Sequence, residues 1–442
     1  MFAFEVKTGQ RVSSEELSLF YSYFTMIHCE RHRLDNGLTV IINREATTPL
    51  VAVNLLYKTG SGSEDPHMTG MAHLFEHMMF SGTTTEPNFD RRVDLAGGQN
   101  NAFTNCDVTN YYITLPANNL ETALWLESDR MQNLVLTEEN LSVQKSVVTE
   151  EFKQRYLNQP YGDRFLLLRD LLYGAFHPYG WPPIGKSSSH IESITKEAAS
   201  AFYKREYSPD NAILVISGNI EVSSAIKLTE RWFGSIENSG ERKGCSPVKA
   251  LPGAVAAGGP ARKVVERNVP ADSIYKAWEV PGRSEDGFHT FDMITDILAG
   301  GESGRLYRRL VRDKHLLSSV NAFVSGEIDS SMLVVTGMVA KDISADEAEE
   351  AIEREIELLS AELVDEKECQ KVKNRFRPTF HMSLTGITNR SALLAMHEAA
   401  GSADEISDEI VKYTSVTPSM MMTAARSYLT GQRCATLRYK RL

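Results

Sequence analysis

Apolar and polar positions along the chain follow two different periods. Residues 38–42 (LTVII) and 51–57 (VAVNLLY) are short apolar runs joined by a polar turn over 43–49, and they read as strands. Between 71 and 80 the period changes: Leu74, Phe75, Met78 and Met79 recur at helical spacing and define an apolar face. Residues 91–95 continue as a helix that Gly97 and Gly98 stop, and 102–104 and 111–115 read as paired strands. A long helical stretch runs from Leu120 to about Gln154, with its break at Leu136 and Thr137. A helix over about 193–207 precedes a strand at 212–217, and a capped helix is expected at 14–20.

Residues from about 236 to 262 are rich in Gly, Pro, Ala and Ser and read as a linker, after which the pattern restarts. Residues 274–280 are strand-like, Ser284-Glu285-Asp286 echoes Ser63-Glu64-Asp65, and an apolar helix over 291–298 ends at Gly300-Gly301 as the first ends at Ser81-Gly82. Aligning the helix ends sets Asp292, Thr295 and Asp296 opposite His73, Glu76 and His77. The division expected is an extension over 1–29, a first domain over 30–240, a linker over 241–262 and a second, homologous domain over 263–442.

Composition changes this picture little. A chain of 442 residues is too long for one ordinary core and suits two. Its net charge of −11 argues against binding nucleic acid through phosphates, and no apolar run approaches the ~18 residues of a membrane span. Five scattered cysteines (Cys29, Cys106, Cys245, Cys369, Cys434) form no C-x-x-C pair, so free thiols are expected. Without a basic and apolar leader at its start the chain reads as cytoplasmic, or as periplasmic if a leader has been removed.

The chemistry is concentrated in the first apolar helix. His73 and His77 stand at i and i+4, so both imidazoles project from one side and can reach one zinc ion. Glu76 lies beside them, placed to handle a proton rather than to ligate. The order H-x-x-E-H is that of the inverted zinc peptidases. A catalytic zinc needs a third protein ligand, and the long helix offers Glu150 and Glu151 without deciding between them.

These residues resemble the pitrilysin, insulin-degrading enzyme and mitochondrial processing peptidase superfamily, and most closely its bacterial half-length members that carry the zinc. The resemblance runs from about Arg33 to the C-terminus, through Leu34-Asp35-Asn36-Gly37-Leu38, 70–82, Asn101-Ala102-Phe103-Thr104, 147–151 with Asn158-Gln159-Pro160-Tyr161-Gly162, and Gly300-Gly301-Glu302-Ser303-Gly304-Arg305-Leu306. It implies an α+β fold of two homologous domains, each a mixed, mainly antiparallel sheet packed against helices. It implies one zinc per chain on His73, His77 and Glu151, with Glu76 as the catalytic group and Glu150 as a non-ligand neighbour. A peptide substrate would add as an extended strand at Asn101 and Ala102. The chain departs from the family at Gln144, where members often carry a glutamate. It departs again at Val311 and Ser318, where complete enzymes carry an Arg and a Tyr that contact substrate. The resemblance therefore implies a zinc metalloendopeptidase whose missing pair comes from a metal-less homologous subunit in a heterodimer. The alternatives are a homodimer of the same chemistry and a non-catalytic scaffold, as in the core subunits of respiratory complexes.

Overall fold

The computed structural model describes residues 27–238, 255 and 258–442. The helix expected at 14–20, Cys245 and most of the expected linker lie outside them. Two sheets organise the rest. The first runs β1 (Glu30–Arg33), β2 (Thr39–Arg44), β6 (Ala212–Gly218), β3 (Leu50–Tyr57), β5 (Thr109–Pro116), β4 (Gln99–Thr104). The second runs β7 (Ala261–Arg267), β11 (Cys434–Arg441), β8 (Ser273–Pro281), β10 (Ser330–Val339), β9 (Leu317–Val324). From β2 onward they share one scheme: a parallel pair (β2·β6, β7·β11), then three antiparallel pairings out to an edge strand, β4 or β9. The sequence repeat is thus a repeat of topology.

Helices follow the same duplication. In the first half these are α1 (Met71–Met78), α2 (Leu120–Asn133), α3 (Glu138–Phe152) and α4 (Arg164–Tyr173); in the second, α5 (Phe288–Ala299), α6 (Ala345–Ala361), α7 (Glu366–Ser383) and α8 (Ile387–Ala400). The break expected at 136–137 is real: Thr137 accepts the Asn140 N–H through its side chain and starts α3. The helix expected over about 193–207 is Lys196–Glu206, and a separate short helix, Ser188–Ser193, precedes it. Ile194 turns extended, and Thr195 caps the longer one by accepting from Ala198 N–H.

Side-chain alternation sends each sheet's two faces into different cores. One face of the first sheet (Val40, Val53, Leu55, Ile113, Leu214) buries against α1, α2 and α3. The other (Ile41, Leu56, Ile213, Val215) buries against Leu394, Ala395 and Ile406, so α8 of the second half covers it. Reciprocally, Ile274, Trp278, Leu333 and Val335 meet α5 and α6, whereas Tyr275, Ala277, Val334 and Leu437 meet Leu168 and Leu172 of α4 from the first half. Each half lends one helix to the other's sheet. The central strands are apolar on both faces, which is why they read as continuous runs. No helix among the described residues is long and apolar enough to cross a membrane.

Candidate metal centre

Helix α1 sits where the chain turns back from β3. Its N-terminal neighbour Gly70 takes φ 96°, and a Cβ there would lie 2.7 Å from the Ile184 carbonyl oxygen, so the position requires glycine. The buried carboxylate of Glu64 accepts from Gly70 N–H (2.9 Å), Ala72 N–H (2.8 Å) and Trp181 Nε1–H (3.0 Å), satisfying the first backbone donors of the helix. Leu74, Phe75 and Met78 then anchor α1 in the core. This fixes the direction of the remaining face, where His73 and His77 stand with ring centroids 4.9 Å apart.

Helix α3 lies against α1 and brings Glu151 to them. Its Oε2 is 3.3 Å from His77 Nε2 and 3.8 Å from His73 Nε2. Three donors on one tetrahedral zinc, with bonds near 2.1 Å, stand roughly 3.4 Å apart. The observed spacing fits such an ion, and among the described residues this is the one group of three side chains so placed. The donor chemistry fits as well. Burial lowers the His73 pKa to about 4, which keeps that imidazole neutral with a free lone pair. Glu151 is held below the usual carboxylate range by its hydrogen bond to His77, although its own burial opposes this. The His73 Nδ1 atom is buried without a hydrogen-bond partner. Glu150 turns away: it is exposed and pairs with Lys153 at 2.6 Å.

Glu76 does not belong to the trio. Its Oε2 accepts from Thr104 Oγ1 at 2.5 Å, and burial raises its pKa despite that bond. Thr104 ends β4, so the edge strand and the Glu76 carboxylate touch. Asn101 lies exposed on that strand with Oδ1 accepting from Ala102 N–H (2.8 Å), and Ala102 is half-buried. Among the described residues β4 pairs only with β5, which leaves its outer backbone groups open.

Gln144 donates to Ser81 Oγ (3.2 Å) just beyond α1. Val311 packs against the second core, and Ser318 at the start of β9 donates to the Met338 carbonyl (3.3 Å). In the second half the counterpart of the histidine pair is tied up otherwise. Asp292 accepts from Tyr413 Oη, Asp296 pairs with Arg375 of α7 at 3.4 Å, and Thr295 donates back to the Asp292 carbonyl. A guanidinium stands on the long helix where the first half has a carboxylate.

Glu64, Thr104 and Arg155 are the site residues to which sequence reasoning assigns no role. Arg155 Nη2 lies 2.8 Å from Glu151 Oε1. Of the three, only Arg155 carries a local signal, its i+4 spacing from Glu151. The other two reach the site through tertiary contacts.

Two family descriptions match the chain: insulinase, peptidase family M16, over residues 39–164, and the peptidase M16 inactive domain over 193–376. Together they span more than two thirds of it. The zinc protease PqqE of Helicobacter pylori is 26% identical over 408 residues, covering 91% of both chains. An uncharacterized zinc protease, YmxG, of Bacillus subtilis is 27% identical over 384 residues, covering 86% of this chain and 91% of its own. Among solved structures, a protease from Helicobacter pylori superposes with a TM-score of 0.87 at 26% identity, over 93% of this chain and 99% of that one. The periplasmic protease PqqL from Escherichia coli shares the fold, with a TM-score of 0.75 at 18% identity over 94% of this chain and 48% of its own. The chain belongs to the insulinase family of peptidases, M16, within the pitrilysin and mitochondrial processing peptidase superfamily.

Proposed function

We propose that the chain is a zinc metalloendopeptidase acting on peptides or unfolded polypeptide segments, with one zinc held by His73, His77 and Glu151. The observation that carries this reading is the convergence of two imidazole nitrogens and one carboxylate oxygen beside a fourth group, Glu76, that is free of them. When bound there, zinc supplies a Lewis acid that polarises the scissile carbonyl and acidifies water. Thr104 occupies Oε2 of Glu76, which leaves Oε1 to take a proton from the attacking water and pass it to the leaving amine nitrogen. An extended substrate joins the open edge of β4 at Asn101 and Ala102, where main-chain hydrogen bonds give affinity without demanding one sequence. Because Thr104 is on the same strand, a peptide laid along it passes the site.

The chain acts as the metal-bearing member of a pair. Val311 and Ser318 offer neither the guanidinium nor the phenol that complete family members bring to the substrate, and a metal-less homologous subunit supplies them. The fold matches about half the length of PqqL, in keeping with two such units enclosing a chamber.

The test is turnover of quenched, unstructured peptides by zinc-loaded chain, alone and with a co-purifying metal-less homologue, against Glu76→Gln. Glu76→Gln should retain one zinc per chain and lose about 10²–10⁴-fold in activity. Zinc-loaded protein inactive in both settings would sink the peptidase reading in favour of the scaffold. Full activity alone would remove the partner.

A further inference from the structure

We infer that Arg155 is a positioning residue for Glu151: its guanidinium holds the carboxylate oxygen that the histidines leave, and so presents the other for one-point coordination. This rests on the zinc site proposed above. Glu151 divides its oxygens, with Oε2 facing His73 and His77 and Oε1 in contact with Arg155 Nη2 at 2.8 Å. A carboxylate bound through one oxygen can otherwise rotate and offer both. The ion pair at Oε1 opposes that rotation, as outer partners of metal ligands commonly do.

Backbone geometry supports the assignment. Helix α3 ends at Phe152, and Lys153–Leu157 wind as a π-helix, with Asn158 N–H donating to the Lys153 carbonyl at 2.9 Å. Such wide turns within helices gather at functional sites. Arg155 lies within this turn, four residues after Glu151. The charge of Arg155 bears on His73, Glu76 and Glu151 together. Its side chain is 64% exposed, so salt can screen the contact. The bland alternative is an ordinary exposed i,i+4 ion pair that tightens a helix end and does nothing for the metal.

Competition of the full-length apo chain with a chromogenic chelator for zinc separates the two, using wild type, Arg155→Ala and Arg155→Lys. At low ionic strength Arg155→Ala should bind zinc about tenfold more weakly, the lower end of what outer partners contribute. Arg155→Lys should fall between. Wild-type affinity should drop toward that of Arg155→Ala in about 1 M salt, where the screening length is roughly 3 Å. Thermal unfolding of the apo proteins should be unchanged, and should Arg155→Ala fail to fold, Arg155→Lys and the salt series decide. Equal affinity in wild type and variants, insensitive to salt, overturns the role of Arg155 and leaves the zinc site standing. A wild-type chain that takes up no zinc overturns the zinc site, and this inference with it.

Discussion

The seam between the two halves contains a buried ion pair whose removal gives a sharp test of how they are joined. Arg169 of α4 donates to Glu327 of the β9–β10 connection, and both are under a tenth exposed. Arg169 also donates to the Tyr179 carbonyl (3.1 Å), and Glu327 accepts from Ser325 Oγ. Beside them Asp107 accepts from Tyr179 Oη (2.5 Å) and Ile328 N–H (3.0 Å), so first-half and second-half residues alternate across the seam. Glu327→Leu strips the guanidinium of its counter-charge and leaves it one carbonyl. An uncompensated buried charge of this kind costs about 3–5 kcal/mol. Arg169→Met should cost a similar amount, from the carboxylate side. The pair Arg169→Met/Glu327→Leu removes both charges, so its cost should fall well below the sum, with a coupling of about 3 kcal/mol. Urea unfolding of the chelator-treated chain, followed by tryptophan fluorescence and circular dichroism, measures all four proteins. Two probes are needed because a weakened seam should let the halves unfold separately, splitting one transition into two. Single variants within about 0.5 kcal/mol of wild type, or a double variant equal to the sum of the singles, would refute the reasoning.

Two further outcomes are expected. Glu349 is a buried carboxylate shared by Arg262 (2.7 and 2.9 Å), Lys276 (3.0 Å) and Arg438; burial pushes its pKa up, but these cations outweigh it and hold it at about 2. A carboxyl depressed on folding stabilises above its ordinary pKa. That stability, about 2 kcal/mol once screening at the half-exposed Arg262 is allowed for, should be lost as pH falls from about 4.5 toward 2. Urea unfolding at pH 6 and pH 3 checks it, and Glu349→Gln should flatten the difference; an equal pH dependence in both proteins would refute the assignment. Thr104→Val should lower kcat by about tenfold with zinc content unchanged, since it removes a hydrogen bond worth about 1.5 kcal/mol to a charged acceptor; unaltered kcat would mean that Thr104 does not position Glu76.

Periodic and local features are legible in the amino-acid sequence, and long-range ones are not. The apolar runs at 51–57 and 212–217 fall inside strands buried on both faces, and His73, Glu76 and His77 share one helix turn, where spacing alone sets direction. Resemblance rather than spacing selects Glu151 over Glu150, because a helix period does not say which of two adjacent carboxylates faces a partner. Glu64 gives no local signal, since it acts through backbone donors six and eight residues on and through the distant Trp181. β1 shows no apolar run because its four residues, ERHR, are polar, as befits an edge strand. Sequence reasoning assigns no element beyond Ser318, and α6, α7 and α8 fill much of that stretch. α7 carries Pro378 inside it, which reads as a breaker, and α8 is only weakly amphipathic while burying one side against the opposite half's sheet.

That crossing of α4 and α8 bears on the history of a duplicated chain. A copy that loses its metal ligands is ordinarily free to decay or be deleted, yet here deletion would leave Ile41, Leu56, Ile213 and Val215 of the surviving copy bare to water. The second half thus serves as a lid on its sibling's back. The positions opposite the histidine pair, Asp292 and Asp296, serve there as mortar, bound to Tyr413 and Arg375.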